Sequence, residues 1–200
     1  MLDLTGRLVV IVGGGNVARR KVVGLLAGGA EKVRVVSPKF HAEMPAAVER
    51  VVGEYEERHL DGATLVFAAT DNAQVNAAVV SDARRRGIWV NRADSEEGDF
   101  STPAVLREDA VTIAVATGGN PAIAARIRDG IKQTLDRRWV VLAEVMKKLR
   151  PIVLAANLPE EARRELFREF ASEEAADLAG RGDAGVLEAR IKARIAAREA

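Results

Sequence analysis

No cysteine occurs in the 200 residues. Disulfides, thiolate metal ligands and cysteine nucleophiles are therefore excluded together. Histidine is nearly absent as well: only His41 and His59 are present, without the short spacing of a metal-ligand pair, and no metal site is expected. Charge of one sign is also lacking. The 30 basic and 29 acidic side chains leave a formal net charge of +1, without the basic excess that marks a nucleic-acid partner. No apolar run approaches the roughly 20 residues that span a bilayer, so no membrane partner is expected. The opening Met1-Leu2-Asp3-Leu4-Thr5-Gly6-Arg7 does not have the charged-then-apolar layout of a signal peptide. What is abundant is apolar residues, 48% of the chain, enough for a sizeable core in one large domain or one domain with a smaller companion. The expectation is a soluble, cytoplasmic protein.

Leu8-Val9-Val10-Ile11-Val12 is a continuous β-branched run of the kind found in parallel strands buried on both faces. Three glycines follow it, then a helical segment from about Asn16 to Leu26. Further strands are expected at Val33–Val36, Leu65–Ala69 and Ile88–Asn91, with a helix from about Ala73 to Arg86. A helix and a weak strand, Val51 to Tyr55, are expected between Pro45 and Glu57. This alternation predicts an α/β, doubly wound parallel sheet. After Asn91 the pattern changes. Arg92 to Ser101 reads as a polar loop, and Pro103–Leu106 and Ala110–Val115 as two strands. Ile123, Ile127, Ile131 and Leu135 form a helical stripe. Three or four amphipathic helices fill residues 137 to 200, with breaks near Asn157-Leu158-Pro159 and Gly180-Arg181-Gly182-Asp183. Trp89 is expected in the core, Trp139 in the core or an interface, and His59 at the surface.

The turn Gly13-Gly14-Gly15-Asn16-Val17-Ala18 fits G-x-G-x-x-A between a strand and a helix. Gly13 permits the tight turn, Gly15 carries no side chain to block a pyrophosphate, and Ala18 lets the helix approach the strand. The unpaired N–H groups and positive end of the helix then face the phosphates. The first half thus reads as a Rossmann-type domain for a nicotinamide dinucleotide. The acid that commonly binds the ribose hydroxyls some 20 residues on is missing; Ser37, Pro38 and Lys39 stand there instead. Ser37 offers a hydroxyl. Lys39 either favours a 2′-phosphate, and so NADP, or is a solvated surface lysine.

Ligands of such sheets bind beyond the carboxyl ends of the strands. Three segments meet that condition: Thr70-Asp71-Asn72, Asn91-Arg92-Ala93-Asp94 and Ala116-Thr117-Gly118-Gly119-Asn120. Asp94 is the candidate for acid–base work; its neighbours Glu96, Glu97 and Asp99 equally suit a solvated loop. Thr117-Gly118-Gly119 is either a second anion cradle or a helix N-cap with flexible glycines.

Taken in order, these segments resemble the precorrin-2 dehydrogenase family of sirohaem biosynthesis, including the N-terminal part of bifunctional sirohaem synthases. The resemblance rests on Gly13 to Lys21, Val35-Val36-Ser37-Pro38, Ala68 to Asn72 with Asn76, Val90 to Asp94, Phe100 to Ala104, and Ala114 to Pro121. It covers the chain to about Arg128; beyond Arg137 only length and helical character match. It implies NAD-dependent oxidation of precorrin-2 to sirohydrochlorin. Asp94 would be the catalytic carboxylate, and Gly13, Gly15, Asn16, Val17, Ser37, Pro38, Lys39 and Thr70 would bind the cofactor. Thr117, Gly118 and Arg126 would bind substrate, and no metal would be held. The family also lacks the ribose acid, which makes NAD the expected cofactor. Because the tetrapyrrole carries many carboxylates, Arg92, Arg107, Arg126 and Arg128 are candidates for a positive wall. The resemblance further implies a homodimer, with residues 1–115 as the NAD-binding domain, 116–150 as a dimerisation segment and 151–200 as a helical C-terminal domain. Two alternatives remain: a bifunctional enzyme that also inserts ferrous iron, with Asp94 or His41 taking up pyrrole protons, and a non-catalytic NAD-sensing module.

Overall fold

A computed structural model describes residues 2–95 and 97–199. Glu96, a candidate neighbour of Asp94, lies outside them, as do Met1 and Ala200. Two compact units are present, Met1–Ser101 and Thr102–Ala200.

In the first unit, strands β1 (Leu8–Val12), β2 (Lys32–Ser37), β3 (Glu49–Val52), β4 (Ala63–Ala68) and β5 (Trp89–Arg92) form one parallel sheet. Their order is β3-β2-β1-β4-β5. Helix α1 (Asn16–Ala27) carries the chain from β1 to β2, and α2 (Ala73–Arg85) from β4 to β5. The strands read as unbroken apolar runs because both faces are covered. Val9, Ile11, Val33, Val35, Leu65 and Phe67 pack with Ala18 and Val22 of α1. Val10, Val12, Val36, Val66, Ala68 and Val90 pack with Val79, Val80 and Ala83 of α2. Each fully buried Val or Ile contributes about 1.5–3 kcal/mol of transfer free energy, so a strand of five such residues has little freedom to change register.

Three local expectations need correction. No helix forms between Pro45 and Glu57: turns lead into β3, and a single 3-10 turn follows at Glu57–Leu60. Pro45 and Gly53, the latter at φ 155°, bracket a window of only about two helical turns, too short to be stable without strong packing. Pairing of Arg34 to Ser37 with Glu49 to Val52 satisfies that backbone instead. Trp89 is 52% exposed, not core. It begins the edge strand β5 and points away from Val90, which α2 covers. His59 is half-buried: its Nδ1 accepts from the Glu56 N–H at 3.0 Å and caps the 3-10 turn.

The second unit opens with an antiparallel hairpin, β6 (Ala104–Glu108) and β7 (Val111–Val115), turning at Asp109 with φ 49°. The hairpin strands pair with each other and not with the parallel sheet. The first compact unit ends at Ser101, before the hairpin. Helix α3 (Pro121–Thr134) follows, then α4 (Arg137–Ala155), α5 (Glu160–Glu169), α6 (Glu173–Gly180) and α7 (Ala184–Glu199). The breaks fall where Pro159 and Gly180–Asp183 were expected to put them. Leu142, Leu149, Val153, Leu166, Phe170, Leu187 and Ile191 form a core of their own, with Trp139 packed against it.

Candidate functional site

Three turns meet at the carboxyl end of the first sheet. The Gly13 N–H donates to Val36 O at 2.9 Å, tying the end of β1 to β2, and the Ala69 N–H donates to Val12 O at 2.8 Å, tying it to β4. The His41 N–H donates to Gly14 O at 2.7 Å, drawing the chain after β2 over the glycine turn. The first two glycines are forced by close approach. A Cβ on Gly13, itself at φ 122°, would stand 2.3 Å from Ala69 O; one on Gly14 would stand 1.9 Å from Lys39 O and 2.6 Å from Ser37 Oγ. Gly15 differs: nothing lies within 4 Å of where its Cβ would be.

The open space at Gly15 is what a pyrophosphate needs. Gly15 is the N-cap of α1, has no side-chain cap, and no acid sits in the first turn. By contrast, Asn72 caps α2 with its own carboxamide oxygen, and Asn120 does the same for α3. The first N–H groups of α1 are thus left for an external acceptor, where the helix end favours negative charge. Gly15, Asn16, Val17, Pro38 and Lys39 are all exposed along this edge. The residues present therefore fit a dinucleotide. Ser37 is buried, and its hydroxyl donates to Lys39 O at 2.7 Å, so its proton is used within the turn.

Gly14 was not a candidate from the sequence, because the atoms that exclude a side chain there come from the turn after β2. Gly14→Ala is expected to lower stability by about 3 kcal/mol, read as a drop of about 6–12 °C in Tm by thermal denaturation.

The β4 turn is organised by Asn76, fully buried in α2. Its Oδ1 accepts from Thr70 N at 3.1 Å and from Thr70 Oγ1 at 2.7 Å, and its Nδ2 donates to Thr70 O at 3.1 Å. Thr70 is thereby fixed beside the glycine turn.

The end of β5 carries Asp94. The Ala93 N–H donates to Ala68 O at 2.9 Å, holding this segment against β4. Arg92 grips both oxygens of Asp94: Nε to Oδ1 at 2.8 Å and a terminal guanidinium nitrogen to Oδ2 at 3.3 Å. The Arg92 guanidinium holds the Asp94 carboxyl below the ordinary carboxylate range; partial desolvation opposes this and the Asn76 amide adds to it. Asp94 is thus an anion at neutral pH, and it stays one until the pH falls through that depressed value. Arg92 also binds Glu97 at 2.5 Å. Asp99 is structural: its N–H donates to Val90 O at 2.7 Å and its Oδ2 accepts from Val90 N at 2.9 Å.

The other expected site residues lie in the second unit. Thr117 and Gly118 are in the turn between β7 and α3. The Thr117 hydroxyl donates to Asn120 O at 2.6 Å, and Asn120 Oδ1 accepts from the Ala122 and Ile123 N–H groups. The start of α3 is accordingly closed by its own cap, unlike that of α1. Arg126 is exposed on α3. Of the arginines expected to face an anion, Arg92 is taken up by Asp94 and Glu97, and Arg128 by Asp129 at 2.7 Å. Among the described residues no cluster of three or more potential ligands could hold a metal ion.

Parallel strands in the order β3-β2-β1-β4-β5, with a bare glycine turn at the switch between β2 and β4, define a Rossmann-type dinucleotide-binding protein. A family model described as "Putative NAD(P)-binding" matches residues 1–104, and the chain belongs to that family. Among curated proteins, it is 36% identical to the siroheme synthase of Chromobacterium violaceum over 98% of this chain and 43% of that protein. It is 35% identical to the siroheme synthase of Pseudomonas fluorescens over 90% of this chain and 41% of that protein. The chain thus spans about two fifths of the length of these relatives. A solved structure, "SirC, precorrin-2 dehydrogenase", superimposes with a TM-score of 0.75 at 25% identity, covering 98% of this chain and 96% of that one.

Proposed function

We propose that this protein oxidises precorrin-2 to sirohydrochlorin with NAD. The observation that carries the reading is the pairing of an uncapped α1 terminus at Gly15 with a fixed carboxylate at Asp94, both at the carboxyl end of one sheet. Support comes also from the similarity to a precorrin-2 dehydrogenase along nearly the whole of both chains.

When bound, the dinucleotide would supply a hydride acceptor for a ring carbon of the substrate. The protein's own groups do the rest. The N–H groups of Asn16 and Val17, with the room left by Gly13 and Gly15, would hold its pyrophosphate. Pro38 and Lys39 would bind its ribose, Ser37 holds their turn, and Thr70, pinned by Asn76, would also contact it. Asp94 accepts the proton that leaves the substrate beside the oxidised carbon, so hydride and proton depart from the same macrocycle. A substrate with many carboxylates calls for a cation; within the second unit Arg126, which has no ion pair among the described residues, serves that role with Thr117 and Gly118. The enzyme is a cytoplasmic homodimer. Ile123 and Ile127, 51% and 44% exposed on α3, supply the apolar stripe for pairing. NAD is the cofactor: Arg50, the cation beside Phe40 after β2, donates to Met44 O at 2.6 Å and lies over the Phe40 ring, so it is engaged within the protein and not left to hold a 2′-phosphate. Turnover of precorrin-2, followed by reduced-dinucleotide formation with NAD and with NADP in parallel, tests the reading. Faster turnover with NADP would overturn the choice of cofactor.

A further inference from the structure

Arg92 is placed as no wall residue would be. We infer that it is the positioning residue for Asp94, a clamp that fixes the orientation of the catalytic carboxylate; this rests on the proposed role of Asp94.

The clamp is built on a rigid base. Both backbone groups of Val90 are satisfied by Asp99. The Asn91 amide donates to Phe100 O at 2.8 Å, and Phe100 packs edge-on against Phe67 with ring centres 5.4 Å apart. A Cβ on Gly98 would lie 3.1 Å from Val90 O, so the two ends of the loop run in close contact. From that base Arg92 reaches three acceptors. Asp94 takes Nε and one terminal nitrogen, Glu97 takes the other, and Ala73 O at the start of α2 receives a further bond at 3.4 Å. The Arg92 side chain is only 12% exposed, while that of Asp94 is 34% exposed. The arginine is therefore the fixed partner, and the carboxylate is the part that faces outward.

A planar guanidinium that meets a carboxylate through two nitrogens sets its plane as well as its position, which a lysine cannot do. The clamp also makes Asp94 a weaker base. In return it fixes orientation: a displacement of about 1 Å at a reacting group lowers rate by up to about a hundredfold.

The test uses Arg92→Gln, Arg92→Lys, Asp94→Asn and the double variant Arg92→Gln/Asp94→Asn. Arg92→Gln should lower kcat by about ten- to hundredfold while KM for NAD stays within about twofold. Arg92→Lys should fall almost as far, because charge without the fork does not orient. The double variant should be no slower than Asp94→Asn alone, since Arg92 acts through Asp94. In the unliganded protein the Arg92 Nε–H should give a slowly exchanging NMR resonance that is lost in Asp94→Asn. Wild-type kcat in Arg92→Gln, multiplicative losses in the double variant, or an Nε–H signal that persists in Asp94→Asn would each overturn the clamp and leave the dehydrogenase reading intact. Failure of the wild-type protein to turn over precorrin-2 would instead defeat that reading, and this inference with it.

Discussion

Asp94→Asn is expected to lower kcat for precorrin-2 by about a hundredfold or more, with the Kd for NAD unchanged within about twofold. General acid–base groups contribute about 10²–10⁴ in rate, so a larger residual rate would be inconsistent with proton acceptance by this residue. Asparagine keeps the shape of the side chain and removes the charge that Arg92 binds. No hydrogen bond to the glycine turn involves Asp94 among the described residues, which is why dinucleotide affinity should survive. Steady-state kinetics joined to a direct NAD titration separates the two effects. A variant that loses affinity and keeps kcat would place Asp94 in cofactor binding.

Gly15→Val is expected to weaken NAD binding by about a hundredfold, close to 3 kcal/mol, with little change in Tm. The backbone at Gly15 has φ −82° and ψ −165°, an extended conformation that any residue adopts. With nothing within 4 Å of its Cβ position, the added Cβ meets no protein atom. Replacing a glycine N-cap by valine costs the helix about 0.5–1 kcal/mol, or about 1–4 °C in Tm, small beside the loss of binding. What valine does fill is the space in front of the first N–H groups of α1. Isothermal titration of NAD into the variant, beside a thermal melt, reads both quantities. Undiminished affinity would mean that the pyrophosphate lies elsewhere. The contrast with Gly14→Ala is the useful part: adjacent glycines, one failing in stability and the other in binding.

The sheet was legible because it is buried on both faces. Leu8 to Val12 and Leu65 to Ala68 cannot be mistaken for amphipathic elements, and the glycines that follow the first run announce a turn. Asp94 is a candidate through the order of motifs around it, and the fold places it just after β5. The departures share a physical cause: they depend on atoms brought close only by folding. Gly14 is excluded from larger residues by Lys39 O and Ser37 Oγ, which reach it across the β1–β2 edge. Arg92 looks like any cationic residue in a string until Asp94 and Glu97 close on it. Trp89 is exposed because β5 is an edge strand, a position that no local pattern encodes. The weak strand expected at Val51 to Tyr55 lies earlier: β3 spans Glu49–Val52, an edge strand whose last residue, Val52, is 76% exposed. The turn before α3 read as either an anion cradle or a helix N-cap, and the Asn120 carboxamide oxygen forms the cap. Sequence patterns report burial and backbone geometry well; they report the partner of a polar group only after the chain has brought it there.

The central claim is that the carboxyl edge of this sheet carries out a two-electron oxidation of precorrin-2. The purified protein, incubated anaerobically with precorrin-2 and NAD, should produce reduced dinucleotide and sirohydrochlorin in a one-to-one ratio, followed together by absorbance. Binding of NAD without formation of either product from active precorrin-2 would contradict the account and leave a dinucleotide-binding module in its place.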